Sequence, residues 1–213
     1  MLGLTPSVLI SRLIILVIAL SFHELMHAFI ADRLGDDTPR RAGRLTLNPL
    51  AHLDPIGSLM LILVGFGWAK PVPINPYNLR RNSSLGVLWV SLAGPASNLL
   101  LAAIGAIPIR LGLVPLVSGT GFFPTAGEFL YTFVFINLIL AVFNLIPISP
   151  LDGEKILGSL LPARMQAGYE RFQSFGPILL LALLFVLPLI GIDVITSIMN
   201  PTVNGLLHVL LGV

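Results

Sequence analysis

The sequence predicts an all-α polytopic membrane protein with about four transmembrane helices and one short re-entrant or β-hairpin segment at the membrane interface. Of its 213 residues, 55% are hydrophobic and only 10% are charged, and the mean hydropathy is +0.94. Soluble domains carry roughly 25% charged residues. No polar, linker-like stretch divides the chain, so residues 1–213 are interpreted as a single membrane-embedded domain.

Four apolar stretches are long enough to cross a hydrocarbon core of about 30 Å as helices of about 20 residues. They cover approximately residues 8–31, 85–108, 128–148 and 175–198. The first lacks a positively charged leader and is predicted to be a retained span. A fifth stretch, Ile56–Ala69, has three glycines and is too short to cross, which favours a re-entrant, interfacial or strand-forming segment. The tail Thr202–Val213 is also predicted to be too short.

The basic residues predict the orientation. The stretch between the first two spans contains Arg33, Arg40, Arg41, Arg44, Lys70, Arg80 and Arg81, and that between the last two contains Lys155, Arg164 and Arg171. The positive-inside rule places these stretches in the cytoplasm and both termini outside. The small net charge of +2 gives no indication of nucleic-acid binding, and a prokaryotic plasma membrane is the expected location.

The pentapeptide His-Glu-Leu-Met-His at residues 23–27 lies inside the first apolar stretch. On a helix, His23 and His27 share a face one turn apart and can direct imidazole nitrogens at one metal ion. Glu24 is then placed to accept a proton from a water molecule. Inserting an acidic side chain near the centre of a span costs about 2.5 to 3.5 kcal/mol, which favours a functional site over a chance match.

A catalytic zinc ion usually takes three protein ligands, and with no cysteine the third must be His, Asp or Glu. Several candidates are predicted at the outer side or at solvated helix ends: Asp32, Asp36, Asp37, Glu128, Asp193 and His208. Asp152 lies at the depth of the histidines, after a break at Pro147 and Pro150. It could equally be the N-cap of a short helix, and spacing alone leaves both roles open.

Four motifs together resemble the site-2 proteases, a family of intramembrane zinc metalloproteases. They are HELMH at 23–27, NPLAHLDPIG at 48–57, AGPASN at 93–98 and NLIPISPLDG at 144–153. The resemblance covers residues 22 to about 160 and implies one Zn²⁺ per chain, bound by His23, His27 and Asp152. It implies Glu24 as general base. It also places Asn144 near the metal, where its amide could donate a hydrogen bond to the scissile carbonyl; a polar contact between helices is the alternative.

His52 and Asn98 are the candidate substrate-binding residues. His52 lies with Asp54 in a loop, where a position beside the active-site mouth and a loop-capping role are both open. Asn98 could line the site, although helix packing is the favoured role of its small-residue motif. The chain has no recognisable PDZ insertion, so it resembles a minimal member of the family.

The expected function is hydrolysis of peptide bonds in or near transmembrane segments of membrane proteins, near the cytoplasmic side of the lipid bilayer. A substrate helix must unwind there to expose a carbonyl. The segment Val64–Asn75, rich in Gly and Pro, could hold the unwound substrate by strand addition, or could simply anchor the interface through Trp68 and Lys70.

Two other functions stay open at this point. A divalent-metal transporter would be expected to have more spans and ligands near the midplane. A noncatalytic membrane scaffold would have no reason to keep Glu24 beside a complete set of ligands.

Overall fold

The computed structural model describes residues 6–57, 60, 67–117, 119 and 121–212, and these are predominantly helical. The helices are α1 (Pro6–Arg33), α2 (Thr38–Arg41), α3 (Pro76–Asn82), α4 (Gly86–Arg110), α5 (Ala126–Asn144), α6 (Asp152–Leu160), α7 (Ala163–Gln173), α8 (Gly176–Leu189) and α9 (Val194–Leu211), with a 3₁₀ turn at Pro49–Ala51. The described residues include no β-strand, only an isolated antiparallel bridge between Leu53 and Ala69.

Among the described residues, four helices are long and apolar enough to cross a membrane: α1, α4, α5 and α9. This confirms the predicted all-helical membrane fold. Helices α1, α4 and α5 correspond to the first three predicted spans, with ends displaced by a few residues. Helix α5 begins with a capping box, in which the Thr125 hydroxyl accepts the Glu128 N–H and the Glu128 carboxylate accepts the Thr125 N–H.

The prediction of a fourth span over residues 175–198 is wrong, because α8 ends at Leu189 and α9 begins at Val194. The chain turns at Gly191, whose φ of 81° suits a residue without a side chain. The Asp193 carboxylate then accepts the Thr196 N–H and begins α9. Hydropathy stays high through this turn, so the sequence hides the break. As a result, the tail predicted to be too short belongs to a helix of 18 residues.

Helices α7 and α8 form a bent pair, with 57° between them at a short break. Counted as one span, the pair raises the possible crossings in the described part of the chain to five. An odd number of crossings would put the termini on opposite sides, so the orientation with both termini outside remains a prediction.

Helix α4 is central and packs against α1, α5, α6 and α9. The largest apolar cluster lies between α4, α5 and α9; its buried members are Ala102, Ala106, Ile109, Val134, Leu138, Ile195, Met199, Val203, Leu207 and Leu211. Gly105 allows close approach of α5, because a Cβ there would lie 2.7 Å from the Phe133 ring. This packing leaves the HELMH motif of α1 and the AGPASN motif of α4 facing the start of α6.

The extended segment 67–75 is tied to the loop before it. The Lys70 N–H donates to the His52 carbonyl at 2.7 Å. The buried Arg44 guanidinium donates to the Lys70 and Pro71 carbonyls at 3.0 and 2.9 Å. Most of Ile56–Ala69, predicted to be re-entrant or hairpin-like, lies outside the described residues, so that prediction is tested only at its ends.

Asp36 is buried, contrary to the solvated helix end predicted for it. Its carboxylate accepts hydrogen bonds from the Thr38 N–H and hydroxyl, the Asn75 N–H and the Asn78 amide. Burial raises the pKa of this carboxyl, but the hydrogen bonds lower it by more, so the net direction is down. Asp36 therefore joins the end of α1 to the beginning of α3.

Candidate active site

His23 and His27 lie one turn apart on α1 and direct their Nε2 atoms at the same point. The two Nε2 atoms are 3.0 Å apart, and the rings meet edge to face with centroids 4.6 Å apart. Both side chains are buried. The helix thus presents the pair as the spacing of the motif predicts.

Asp152 completes the cluster. Its Oδ2 lies 3.0 Å from Nε2 of His23 and 3.1 Å from Nε2 of His27. Leu151 occupies the N-cap of α6, and Asp152 is the first residue of the helix. Asp152 is therefore not the N-cap that the sequence left open. Gly153 lets this first turn rest on the end of α5, since a Cβ there would lie 2.5 Å from the Leu145 carbonyl carbon.

The other ring nitrogens fix the protonation of the histidines. Nδ1 of His23 is 2.7 Å from Oδ1 of Asn98, and Nδ1 of His27 is 2.6 Å from the Val90 carbonyl oxygen. Both oxygens only accept, so each Nδ1 carries a hydrogen and each neutral ring turns an Nε2 lone pair toward Asp152.

This donor set fits a metal ion. Two imidazole nitrogens and a carboxylate oxygen lie within 4.8 Å of one another, and their lone pairs repel unless a cation lies between them. Two histidines and one carboxylate form a common ligand set of catalytic zinc, which leaves a fourth position for water. Second hydrogen bonds from zinc-binding imidazoles, like those to Asn98 and Val90, orient the ligands.

Gly94 on α4 provides room for the cluster. A Cβ at this position would lie 2.5 Å from both Nε2 and Cε1 of His23. The small-residue motif predicted to serve helix packing therefore also bounds the space in which a metal ion would sit.

Asn98 belongs to a buried network across three helices. Its amide nitrogen donates to Oδ1 of Asn137 on α5 at 2.9 Å and to the Ala19 carbonyl of α1 at 3.3 Å. Asn137 in turn donates to the Phe133 carbonyl. Asn98, predicted as a candidate substrate-binding residue, thus contacts His23. No sequence motif indicates a role for Asn137.

The cluster opens into a cavity of about 830 Å³. Glu24 and Asn144, the two residues predicted to be catalytic, line this cavity, and their catalytic roles stay predictions. The Asn144 amide donates to the Leu140 carbonyl of its own helix at 3.0 Å. The walls also include Arg12, the seventh residue of α1, and the extended segment 67–74. No sequence motif indicates a role for Arg12.

His52 is not among the described residues that line this cavity. The side chain is fully buried, and its Nε2 donates to the Thr46 carbonyl at 2.8 Å. Asp54 caps the following turn by accepting the Gly57 N–H. The structure therefore places His52 and Asp54 within the loop and brings neither to the cluster.

A helical membrane domain in which a His-Glu-x-x-His helix meets an aspartate from far along the chain, at the wall of a cavity, has the features of a membrane-embedded zinc metalloprotease. The sequence pattern of peptidase family M50 matches residues 110–187. YwhC of Bacillus subtilis (strain 168), provisionally named a zinc metalloprotease, is 42% identical over 177 residues, which are 83% of this chain and 80% of that protein. No solved structure matches significantly.

Two further relatives are the Rip2 proteins of Mycolicibacterium smegmatis (strain ATCC 700084 / mc(2)155) and Mycobacterium tuberculosis (strain ATCC 25618 / H37Rv), provisionally named in the same way. They are 33% and 32% identical over 79% and 78% of this chain, which spans 64% and 63% of their length. The chain belongs to peptidase family M50, the site-2 proteases. This confirms the predicted family and the predicted zinc metalloprotease activity.

Proposed function

We propose that the protein is an endopeptidase that cleaves membrane proteins in or near a transmembrane helix, at a site near the cytoplasmic side of a prokaryotic cell membrane. The observation that carries the proposal is the convergence of His23, His27 and Asp152 at 3.0 to 3.1 Å, beside Glu24, in one cavity among apolar helices.

The three converging residues would hold one zinc ion. When bound, zinc supplies a Lewis acid that makes water a nucleophile near neutral pH and polarises a carbonyl. Glu24 is buried next to His23 in the chain and lines the cavity. Its carboxylate accepts the proton of the attacking water and returns it to the leaving amine, a role that typically contributes 10²- to 10⁴-fold to rate.

Asn144 is the proposed stabiliser of the developing oxyanion. One hydrogen of its amide is engaged by the Leu140 carbonyl, which fixes the plane of the amide at the end of α5. The second hydrogen of the same amide group is the one assigned to the scissile carbonyl oxygen. This role is separate from proton transfer, so its loss should slow cleavage without releasing zinc.

The substrate is proposed to be an unwound stretch of a transmembrane helix. A carbonyl within an intact helix is engaged in a backbone hydrogen bond and is a poor target. The extended segment 67–74 forms one wall of the cavity, and Arg44 holds it in place through two carbonyls. An extended wall can pair with an extended substrate by strand addition.

The test compares wild type with Glu24→Gln in proteoliposomes that contain a transmembrane test substrate. Wild type should cleave, and cleavage should increase when Gly or Pro is placed near the cut to weaken the substrate helix. Glu24→Gln should cleave at least about 10²-fold more slowly with zinc retained. Glu170→Gln, at an exposed glutamate of α7, is the matched control and should cleave normally. Full activity in Glu24→Gln would exclude the proposed role.

A further inference from the structure

Two backbone groups of the segment before Asp152 form hydrogen bonds outside the segment's own turns. Within residues 145–151, the N–H groups of Leu145, Ile146, Ile148 and Leu151 donate to carbonyls of the same segment or of α5. The Ser149 N–H and the Pro147 carbonyl are bonded elsewhere. These two groups lie two residues apart in an irregular stretch, so a residue that bonds both influences where this segment lies.

That residue is Gln173, at the end of α7. Its Oε1 accepts the Ser149 N–H at 2.8 Å, and its Nε2 donates to the Pro147 carbonyl at 3.0 Å. The side chain is only 6% exposed. A primary amide can serve a neighbouring donor and acceptor at once, which a carboxylate or an alkyl chain cannot do.

Tyr169 makes a second contact from the same face of α7, one turn earlier. Its hydroxyl donates to the Glu154 carbonyl at 2.9 Å. Gln173 therefore holds the chain three to five residues before Asp152, and Tyr169 holds it two residues after. Gly176 adds close packing, since a Cβ there would lie 2.6 Å from Cβ of Ser149.

We propose that Gln173 and Tyr169 are positioning residues that set the Asp152 carboxylate against His23 and His27. The histidines lie on one rigid helix, whereas Asp152 follows an irregular segment held from outside by α7. The inference rests on the proposed zinc site. In this proposal, α7 contributes no metal ligand itself but aligns the third ligand, Asp152.

The experiment measures zinc affinity in purified full-length protein in detergent, by competition with a chelator. Gln173→Met keeps the length of the side chain and removes both hydrogen bonds. We expect its Kd for zinc to rise roughly 10-fold, the lower end of the range for residues that orient metal ligands. Tyr169→Phe, which loses one hydroxyl, should raise the Kd by a smaller factor.

Gln166→Met is the matched control. Gln166 lies on the same helix, and its amide donates to the Leu161 carbonyl, away from the Asp152 segment. Its zinc affinity should equal that of wild type. Cobalt(II) in place of zinc gives a second readout, because its ligand-field spectrum changes in Gln173→Met if Asp152 is displaced and stays constant if α7 only stabilises the fold.

The outcomes separate the two proposals. If wild type binds no zinc, the proposed function fails. If wild type binds zinc and both Gln173→Met and Tyr169→Phe bind it with wild-type affinity, the positioning role is excluded. If Gln173→Met does not fold, the Kd of Tyr169→Phe decides the question.

Discussion

Oδ1 of Asn98 lies 2.7 Å from Nδ1 of His23, so a residue on α4 determines which nitrogen of that histidine faces Asp152. Losing this acceptor would free the ring to rotate or to exchange its hydrogen to Nε2. Asn98→Leu should therefore weaken zinc binding by about 10- to 100-fold, measured by chelator competition.

The control for this variant is Ser97→Ala. Ser97 is buried on the same helix, and its hydroxyl donates to the Gly94 carbonyl and not to a proposed ligand. Wild-type zinc affinity in Asn98→Leu would show that His23 does not need the contact.

Gly94→Ala should abolish zinc binding. The added methyl group would lie 2.5 Å from Nε2 of His23, inside the space of the proposed metal. Alanine favours helix more than glycine by roughly 0.5 to 1 kcal/mol, so helix propensity does not oppose the substitution. Zinc content after dialysis measures the effect. Gly168→Ala is the control, because a Cβ there meets nothing within 4 Å; a full zinc content in both variants would contradict the placement of the metal.

Arg44→Met should raise KM for a transmembrane substrate while leaving zinc content unchanged. Hydrogen bonds from a charged group are worth about 1.5 to 3 kcal/mol, and the segment they hold forms a cavity wall. Loss of 1.4 kcal/mol in substrate binding corresponds to about a tenfold increase in KM. Arg41→Met, at an exposed arginine paired with Asp37, is the control. An unchanged KM in Arg44→Met would argue against substrate binding along this segment.

Asp36 should make the protein sensitive to acid. Its carboxyl pKa is lower in the folded chain than in the unfolded chain, so the stability it contributes is complete above about pH 4 and is lost as the pH falls through the folded value. Thermal unfolding between neutral and acidic pH measures this loss. Asp36→Asn should be less stable at neutral pH and should lose less on acidification; an identical pH dependence in both proteins would exclude the effect.

Local spacing predicted part of the site well. Residues four apart on a helix share a face whatever surrounds them, so His23 and His27 could be paired from sequence. Asp152 could not be paired by spacing, because its contact with them depends on packing across more than 120 intervening residues. Only the resemblance to a family favoured the role of metal ligand over that of N-cap for Asp152.

Other features depend on contacts that no local pattern reveals. The sequence offers Asn98 as a candidate site residue, but its hydrogen bond to His23 depends on the register of α4 against α1. Gln173 and Asn137 belong to no sequence motif, so only their hydrogen bonds in the folded chain indicate their roles. Hydropathy does not reveal the break at Gly191, because it measures apolar character and not backbone conformation.

The most direct test of the account is the zinc content of wild type, Asp152→Ala and Glu24→Gln, purified in parallel, with cleavage of a transmembrane substrate assayed on the same samples. We predict one zinc per chain in wild type, loss or weakening of zinc in Asp152→Ala, and retained zinc without cleavage in Glu24→Gln. Zinc binding indifferent to Asp152, or cleavage that survives Glu24→Gln, would contradict it.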